Sequence, residues 1–264
     1  MDIKHAARMV LDRAGLMGLY FKLVEWRIAR GQEKPPAADE NGVPIPPLEL
    51  MARVVAHADW RTFLKTGEAT AKALDGHACG AGLGFADAQN ILDFGCGSGR
   101  VIRHLPQMTK AALYGVDYNP SLVDWCAANL PGDYRQNQLH PPLDFPDGQF
   151  DIVYLLSVFT HLRIPTQREW LAELARVIRP GGLAMITFHD EVQPRFPDGD
   201  TARAALAENG FYISKDLAEG SNLIASFQTQ DFTKQLFNEY FDVVNIMSRD
   251  ESQVGQALGV LKRR

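Results

Sequence analysis

Ile91-Leu92-Asp93-Phe94-Gly95-Cys96-Gly97-Ser98-Gly99-Arg100 is an apolar run of buried-strand length that feeds straight into three glycines at alternate positions. Glycines after a first strand let the backbone turn sharply and approach a ligand where a side chain would collide. The spacing is Gly-x-Gly-x-Gly. A dinucleotide site, Gly-x-Gly-x-x-Gly, would need its third glycine where Arg100 stands. Working outward, the next apolar run, Tyr114-Gly115-Val116-Asp117, closes on a carboxylate. A carboxylate there can accept hydrogen bonds from both hydroxyls of a ribose, and Tyr118 beside it can cover one face of an adenine ring. Asp93 can order the glycine turn by accepting backbone N–H bonds, or cap the helix that follows. Cys96 reads as a small residue that fits the turn.

From residue 90 onward, short apolar runs alternate with helical segments, the pattern of a parallel sheet in an α/β protein. Strands are expected at 90–94, 112–117, 133–137, 150–156, 183–189, 240–247 and 256–262, with helices at 99–105, 121–130 and 166–178. The last helix has a capping-box signal in Thr166 and Glu169, and Pro180-Gly181-Gly182 is expected to end it. Upstream, 5–30 reads as an amphipathic helix whose charges lean basic, followed by a proline-broken loop over 31–47 and helices at 48–57 and 59–74. Residues 190–230 carry turn signals and no clear period. A span of that length between strands is usually a binding loop or cover. The chain divides into an N-terminal helical cap and linker, 1–88, and a sheet domain, 89–264.

Composition narrows the function. The net charge of −5 disfavours a nucleic-acid binder working by general phosphate attraction. The three cysteines are widely spaced, without a Cys-x-x-Cys pair, and imply neither disulfides nor zinc. No apolar run approaches the ~20 residues of a membrane span, and the N-terminus lacks the zones of a secretion signal. A cytoplasmic location is expected, and the apolar side of the first helix suits a membrane surface, a lid or a homodimer contact.

The alternate-glycine turn resembles the first motif of class I S-adenosylmethionine-dependent methyltransferases. Three further stretches resemble one branch of that family: Pro141-Pro142-Leu143-Asp144-Phe145-Pro146-Asp147-Gly148-Gln149-Phe150-Asp151-Ile152-Val153, Ser157-Val158-Phe159-Thr160-His161-Leu162, and Arg176-Val177-Ile178-Arg179-Pro180-Gly181-Gly182. The resemblance covers about 43–264. It implies a Rossmann-like, seven-stranded, mostly parallel sheet with helices on both faces and an N-terminal helical cap. It also implies S-adenosyl-L-methionine as cofactor and a small-molecule or glycan acceptor. Cofactor contacts are then expected from Asp93, Gly95, Cys96, Gly97, Asp117, Tyr118, Asn137, Leu139 and Ser157. Many relatives hold the adenine amino group with an acidic residue after the third strand. Here Asn137-Gln138-Leu139-His140 occupies that region, so the Leu139 backbone and the Asn137 or Gln138 amide are expected to read it. Relatives commonly have proline where Asp144 stands, and Asp144 has no evident role.

Methyl transfer from a sulfonium is an in-line displacement, so the protein mainly aligns the reactants and excludes water. A hydroxyl acceptor benefits from a base, and histidine suits neutral pH. His161, past the fourth strand, and His189, at the end of the fifth, fall at the open end of the sheet, with Asp190 and Glu191 extending the polar group. His161 can equally orient the helix that follows it. No Asp/His grouping has metal-ligand spacing. A non-catalytic protein that binds S-adenosylmethionine or S-adenosylhomocysteine is the rival class, and an amine acceptor could use the same pocket. A nicotinamide dehydrogenase is set back by Arg100 and by the lack of a hydride-transfer pair.

Overall fold

The computed structural model describes residues 17–55, 57–192, 199–214, 219–221 and 223–264. Among them, the strands are β1 (Asn90–Phe94), β2 (Ala112–Asp117), β3 (Asp133–Gln136), β4 (Phe150–Leu155), β5 (Ile178–Phe188), β6 (Phe211–Ser214), β7 (Ala225–Gln228), β8 (Asp242–Met247) and β9 (Ala257–Lys262). The main helices are α1 (Met17–Ala29), α2 (Leu48–Val55), α3 (Trp60–Gly80), α4 (Pro120–Asn129), α5 (Ile164–Val177), α6 (Gly199–Asn209) and α7 (Gln230–Asn238).

Seven strands form one sheet in the order β3-β2-β1-β4-β5-β9-β8. The first five run parallel, and β9 is antiparallel to both of its neighbours. This is the expected Rossmann-like, mostly parallel sheet. All six residues of β4 are buried, which is why the central strands read as continuous apolar runs instead of alternating ones. Successive side chains take opposite faces. Ile91 packs with Leu74 and Ala78 of α3 and Cys126 of α4, whereas Leu92 packs with Trp170 and Leu174 of α5 and Phe237 of α7. The strand order reverses between β1 and β4, and ligands in such sheets bind in the crevice outside the carboxyl ends at that point.

Helices α1 and α2 and the start of α3 share a separate apolar cluster of Ala29, Leu48, Met51 and Phe63. Glu25, buried on α1, holds Arg53 of α2 through two hydrogen bonds of 2.6 and 2.7 Å. The buried Arg103 donates to Asp39 at 2.9 Å and to the Val43 carbonyl at 3.0 Å, tying the proline-rich loop to the sheet. The later turns of α3 belong to the sheet's own core, so packing runs continuously across residue 88.

Several local expectations change. Of the helix expected at 5–30, α1 is the described part, and 5–16 lie outside the described residues. In place of an α-helix at 99–105 stands a 3-10 helix, Ile102–Gln107. Gly99, in the left-handed region, and Pro106, with no N–H to donate, leave too little chain between them for a longer helix. Helix α5 starts before Thr166, which is buried inside it, and Glu169 meets His140 Nδ1 at 2.7 Å, so there is no capping box. Pro180-Gly181-Gly182 does not end α5. It lies within β5, where Gly181 at φ 77° accommodates a shift in register against β4.

The region 190–230 is more regular than expected, holding α6 and the antiparallel hairpin β6–β7. Its packed side is narrow, with Ala202 and Leu206 of α6 buried against Val192 and Phe227. Residues 193–198, 215–218 and 222 lie outside the described residues.

The turn after β1 is sterically committed. A methyl group on Gly99 (φ 75°) would lie 2.2 Å from Leu130 Cδ1. Gly99→Ala is expected to cost about 1–3 kcal/mol of stability from backbone strain and overpacking, read as a lowered midpoint in denaturant unfolding.

Candidate active site

The glycine turn is held from below by β2. Gly95 N–H and Cys96 N–H both donate to the Val116 carbonyl, at 2.7 and 3.0 Å. Gly95, Gly97 and Gly99 all have positive φ, at 80°, 55° and 75°, the conformation for which glycine has no Cβ penalty. A Cβ on Gly95 would meet Val158 Cγ2 at 2.5 Å, and one on Gly97 would meet Val54 Cγ2 at 2.8 Å. The turn is therefore a bare backbone cradle between α2 and the exit of β4.

Asp117 closes the cradle. Its Oδ2 accepts from Gly97 N–H at 2.9 Å and its Oδ1 from Asn119 N–H at 2.8 Å. Burial pushes its carboxyl up, opposed by those two N–H donors and by the Arg53 guanidinium of α2. Each oxygen keeps a second lone pair for an incoming hydroxyl. Tyr118 is 54% exposed, so one face of its ring is open. Asn137 donates through Nδ2 to the Gln138 carbonyl at 2.8 Å, while its Oδ1 is buried with no hydrogen-bond partner. The Leu139 carbonyl is taken by Trp170 Nε1 at 2.9 Å, which leaves only its N–H side for a ligand edge.

Two expected residues lie beneath the turn instead of along it. Asp93 does not take the glycine N–H groups. It is buried, its carboxyl pushed up to about 7 by desolvation, against which the Tyr154 hydroxyl, the Arg100 guanidinium and the Ile102 N–H act. Cys96 is also buried, beside Cys126, whose thiol together with burial pushes the Cys96 thiol well up. Both thiols point at the Gly97 carbonyl, with Cys126 Sγ at 3.4 Å.

Ser157 leaves β4 at φ 60°, a strained conformation for a residue with a Cβ. Its N–H donates to Thr187 Oγ1 at 2.8 Å and its hydroxyl to Gln256 Oε1 at 3.0 Å. Next to it is a cavity of about 230 Å³ lined by His189, Asp190, Glu191, Arg249 and Gln256 among others. His189 stacks on Phe227 with ring centroids 5.3 Å apart, and burial lowers its pKa to about 4, helped by the nearby His161 and Arg249. His161 is not in that cavity's wall. It ends the short 3-10 helix Phe159–His161 with Nδ1 2.8 Å from the Ile224 carbonyl. A carbonyl accepts only from an N–H, so Nδ1 carries the proton and Nε2 the lone pair. Burial lowers the His161 pKa, opposed by that carbonyl.

The two histidines, Ser157 and the glycine cradle therefore meet at one end of the sheet. Sequence reasoning missed Arg53, Val54 and Gln256. Each arrives from a distant segment, and no local spacing marks it. A more open groove of about 500 Å³, lined by Asp147, Arg176 and Arg263 among others, lies by the start of β5 and away from these groups. Among the described residues no group of three or more His, Cys, Asp or Glu could hold a metal ion. No helix among them is long and apolar enough to cross a membrane.

Residues 92–186, which run from β1 into β5, match the family model of the methyltransferase domain. Together with the sheet order and the alternate-glycine cradle, this match supports a class I S-adenosylmethionine-dependent methyltransferase domain in that region. The chain is 30% identical over 107 residues to a sterol 24-C-methyltransferase of Gibberella zeae, covering 38% of this chain and 28% of that protein. It is 25% identical over 173 residues to an O-methyltransferase of Aspergillus nomiae, covering 56% and 76%. A solved 1,6-didemethyltoxoflavin-N1-methyltransferase of Burkholderia thailandensis shares the fold, with a TM-score of 0.56 at 14% identity over 81% of this chain and 84% of that one. The chain thus spans well under half of the first of these relatives and about three-quarters of the second.

Proposed function

We propose that this protein is an enzyme that methylates a hydroxyl group of a small molecule or saccharide. The observation that carries the reading is the pairing of a bare glycine cradle with Asp117 and with the unpartnered, buried Oδ1 of Asn137. The residues fit the cofactor end to end. The backbone at Gly95 and Gly97 receives the methionine end, Asp117 accepts from the ribose hydroxyls, and Asn137 Oδ1 accepts from the adenine amino group. Tyr118 covers the ring face, with the Leu139 N–H at its edge. Asp93 and Cys96 act from beneath, supporting the turn. S-adenosyl-L-methionine, when bound, supplies an activated methyl group on a sulfonium.

Ser157 stands at the methyl end, beside the cavity that takes the acceptor. His161, behind that cavity's wall next to His189, is the proposed base: its Nε2 would take the proton of an acceptor hydroxyl whose oxygen takes up the methyl group, S-adenosylhomocysteine leaving. The proton on Nδ1, fixed by Ile224, keeps the lone pair on the nitrogen that needs it. His189 is the second candidate base, favoured by its place in the cavity wall. Burial lowers the pKa of both rings, so basicity does not choose between them. Helix α2 forms the roof, through Val54 over Gly97 and Arg53 beside Asp117.

Calorimetry with S-adenosylhomocysteine and with a nicotinamide dinucleotide, followed by turnover on a panel of hydroxyl and amine compounds, tests the reading. Binding of the first ligand alone, with methyl transfer to hydroxyls, is expected. Binding without turnover on any acceptor would favour a non-catalytic cofactor-binding protein.

A further inference from the structure

Among the described residues, nothing covers the outer face of α1. Leu19, Leu23 and Trp26 are 67%, 60% and 49% exposed, and their spacing of four and three residues aligns them as one ridge along the helix. Lys22 and Arg27 flank the ridge on opposite sides, and both are exposed. Arg30, one turn past Trp26, lays its guanidinium over the indole at 5.1 Å. The one acidic residue of α1, Glu25, faces inward and is occupied by Arg53. The exposed charge of this helix is therefore wholly positive on a chain whose net charge is −5.

From this we infer that α1 is a docking helix for an anionic lipid surface. The ridge enters the boundary between headgroups and acyl chains, with Trp26 at headgroup depth. Lys22, Arg27 and Arg30 reach back to the phosphates on their apolar stems. A protein partner would be expected to meet a more mixed set of charges. Basic residues on both flanks of an apolar ridge complement a plane of negative charge. Glu25 and Arg53 connect α1 to α2, and Val54 of α2 stands over Gly97, so the docked helix is one step from the cradle. The inference does not depend on the transfer reaction proposed above.

Co-sedimentation of the full chain with vesicles tests it. Phosphatidylcholine vesicles should bind weakly. Vesicles of phosphatidylcholine mixed with phosphatidylglycerol should bind the protein, and added salt should release it. Leu23→Glu should lower partitioning onto the mixed vesicles at least ~10-fold, the worth of one buried leucine. Arg27→Gln should lower it ~5-fold on the mixed vesicles and hardly at all on the neutral ones. Because both residues are exposed, both variants should keep the parent's far-ultraviolet circular dichroism and unfolding temperature. Equal binding to the two vesicle types, or undiminished binding by a folded Leu23→Glu variant, would overturn the inference. So would a solution dimer that Leu23→Glu dissociates and that ignores vesicles, since the ridge would then belong to a second copy.

Discussion

His161→Ala is expected to lower kcat by ~10²–10⁴ while leaving affinity for S-adenosylhomocysteine unchanged, because it removes a base and none of the cradle. Single-turnover rates on folded variant decide the matter, since they exclude product release. The pH profile adds an independent check. Burial lowers the His161 pKa, so the ring is neutral and competent at pH 7. The rate should hold as pH falls to the ordinary histidine value of 6.5 and drop only below it, as Nε2 is protonated. A variant rate within threefold of the parent would move the base to His189. A structural role alone would instead lower thermal stability and leave the rate per folded molecule intact.

Asp117→Ala should weaken cofactor binding by about 2–4 kcal/mol, roughly 30- to 1,000-fold, through loss of two charge-assisted hydrogen bonds to the ribose. The same carboxylate holds the Gly97 and Asn119 N–H groups, so the variant should also be less stable. Asp117→Asn separates these roles. Its amide keeps one acceptor oxygen for the backbone but cannot accept from both hydroxyls, so stability should recover more than affinity. Unchanged affinity in a folded Asp117→Ala protein, measured by calorimetry, would rule out the ribose assignment.

The fold was legible in the sequence wherever burial on both faces forced an unbroken apolar run. Residues 90–94 and 112–117 form strands with the expected bounds. The cradle was legible because positive φ selects glycine, and three alternate glycines after a strand leave few other readings. Punctuation by proline and glycine was misleading at Pro180-Gly181-Gly182, since glycine at positive φ also makes a strand irregularity. The small residues of α6 hide its helix, for alanine carries little of the amphipathic signal. Nothing local announces Gln256 against Ser157 or Val54 above Gly97. Those contacts depend on how the sheet and the cap close, and a linear pattern holds no record of that.

The place of β9 has a consequence for synthesis. It lies between β5 and β8, pairing Leu183 through Phe188 with the run from Ala257 to Lys262. On the ribosome β5 therefore emerges with an open apolar edge, and its partner follows only roughly 70 residues later. At ~5–20 residues per second that edge waits on the order of seconds, long enough to meet another nascent chain or a chaperone. The half-sheet β3-β2-β1-β4-β5 can assemble early, but Gln256, which holds the Ser157 hydroxyl, comes with the strand that seals it. Translation order thus makes the acceptor side of the site the last part of the sheet to be completed.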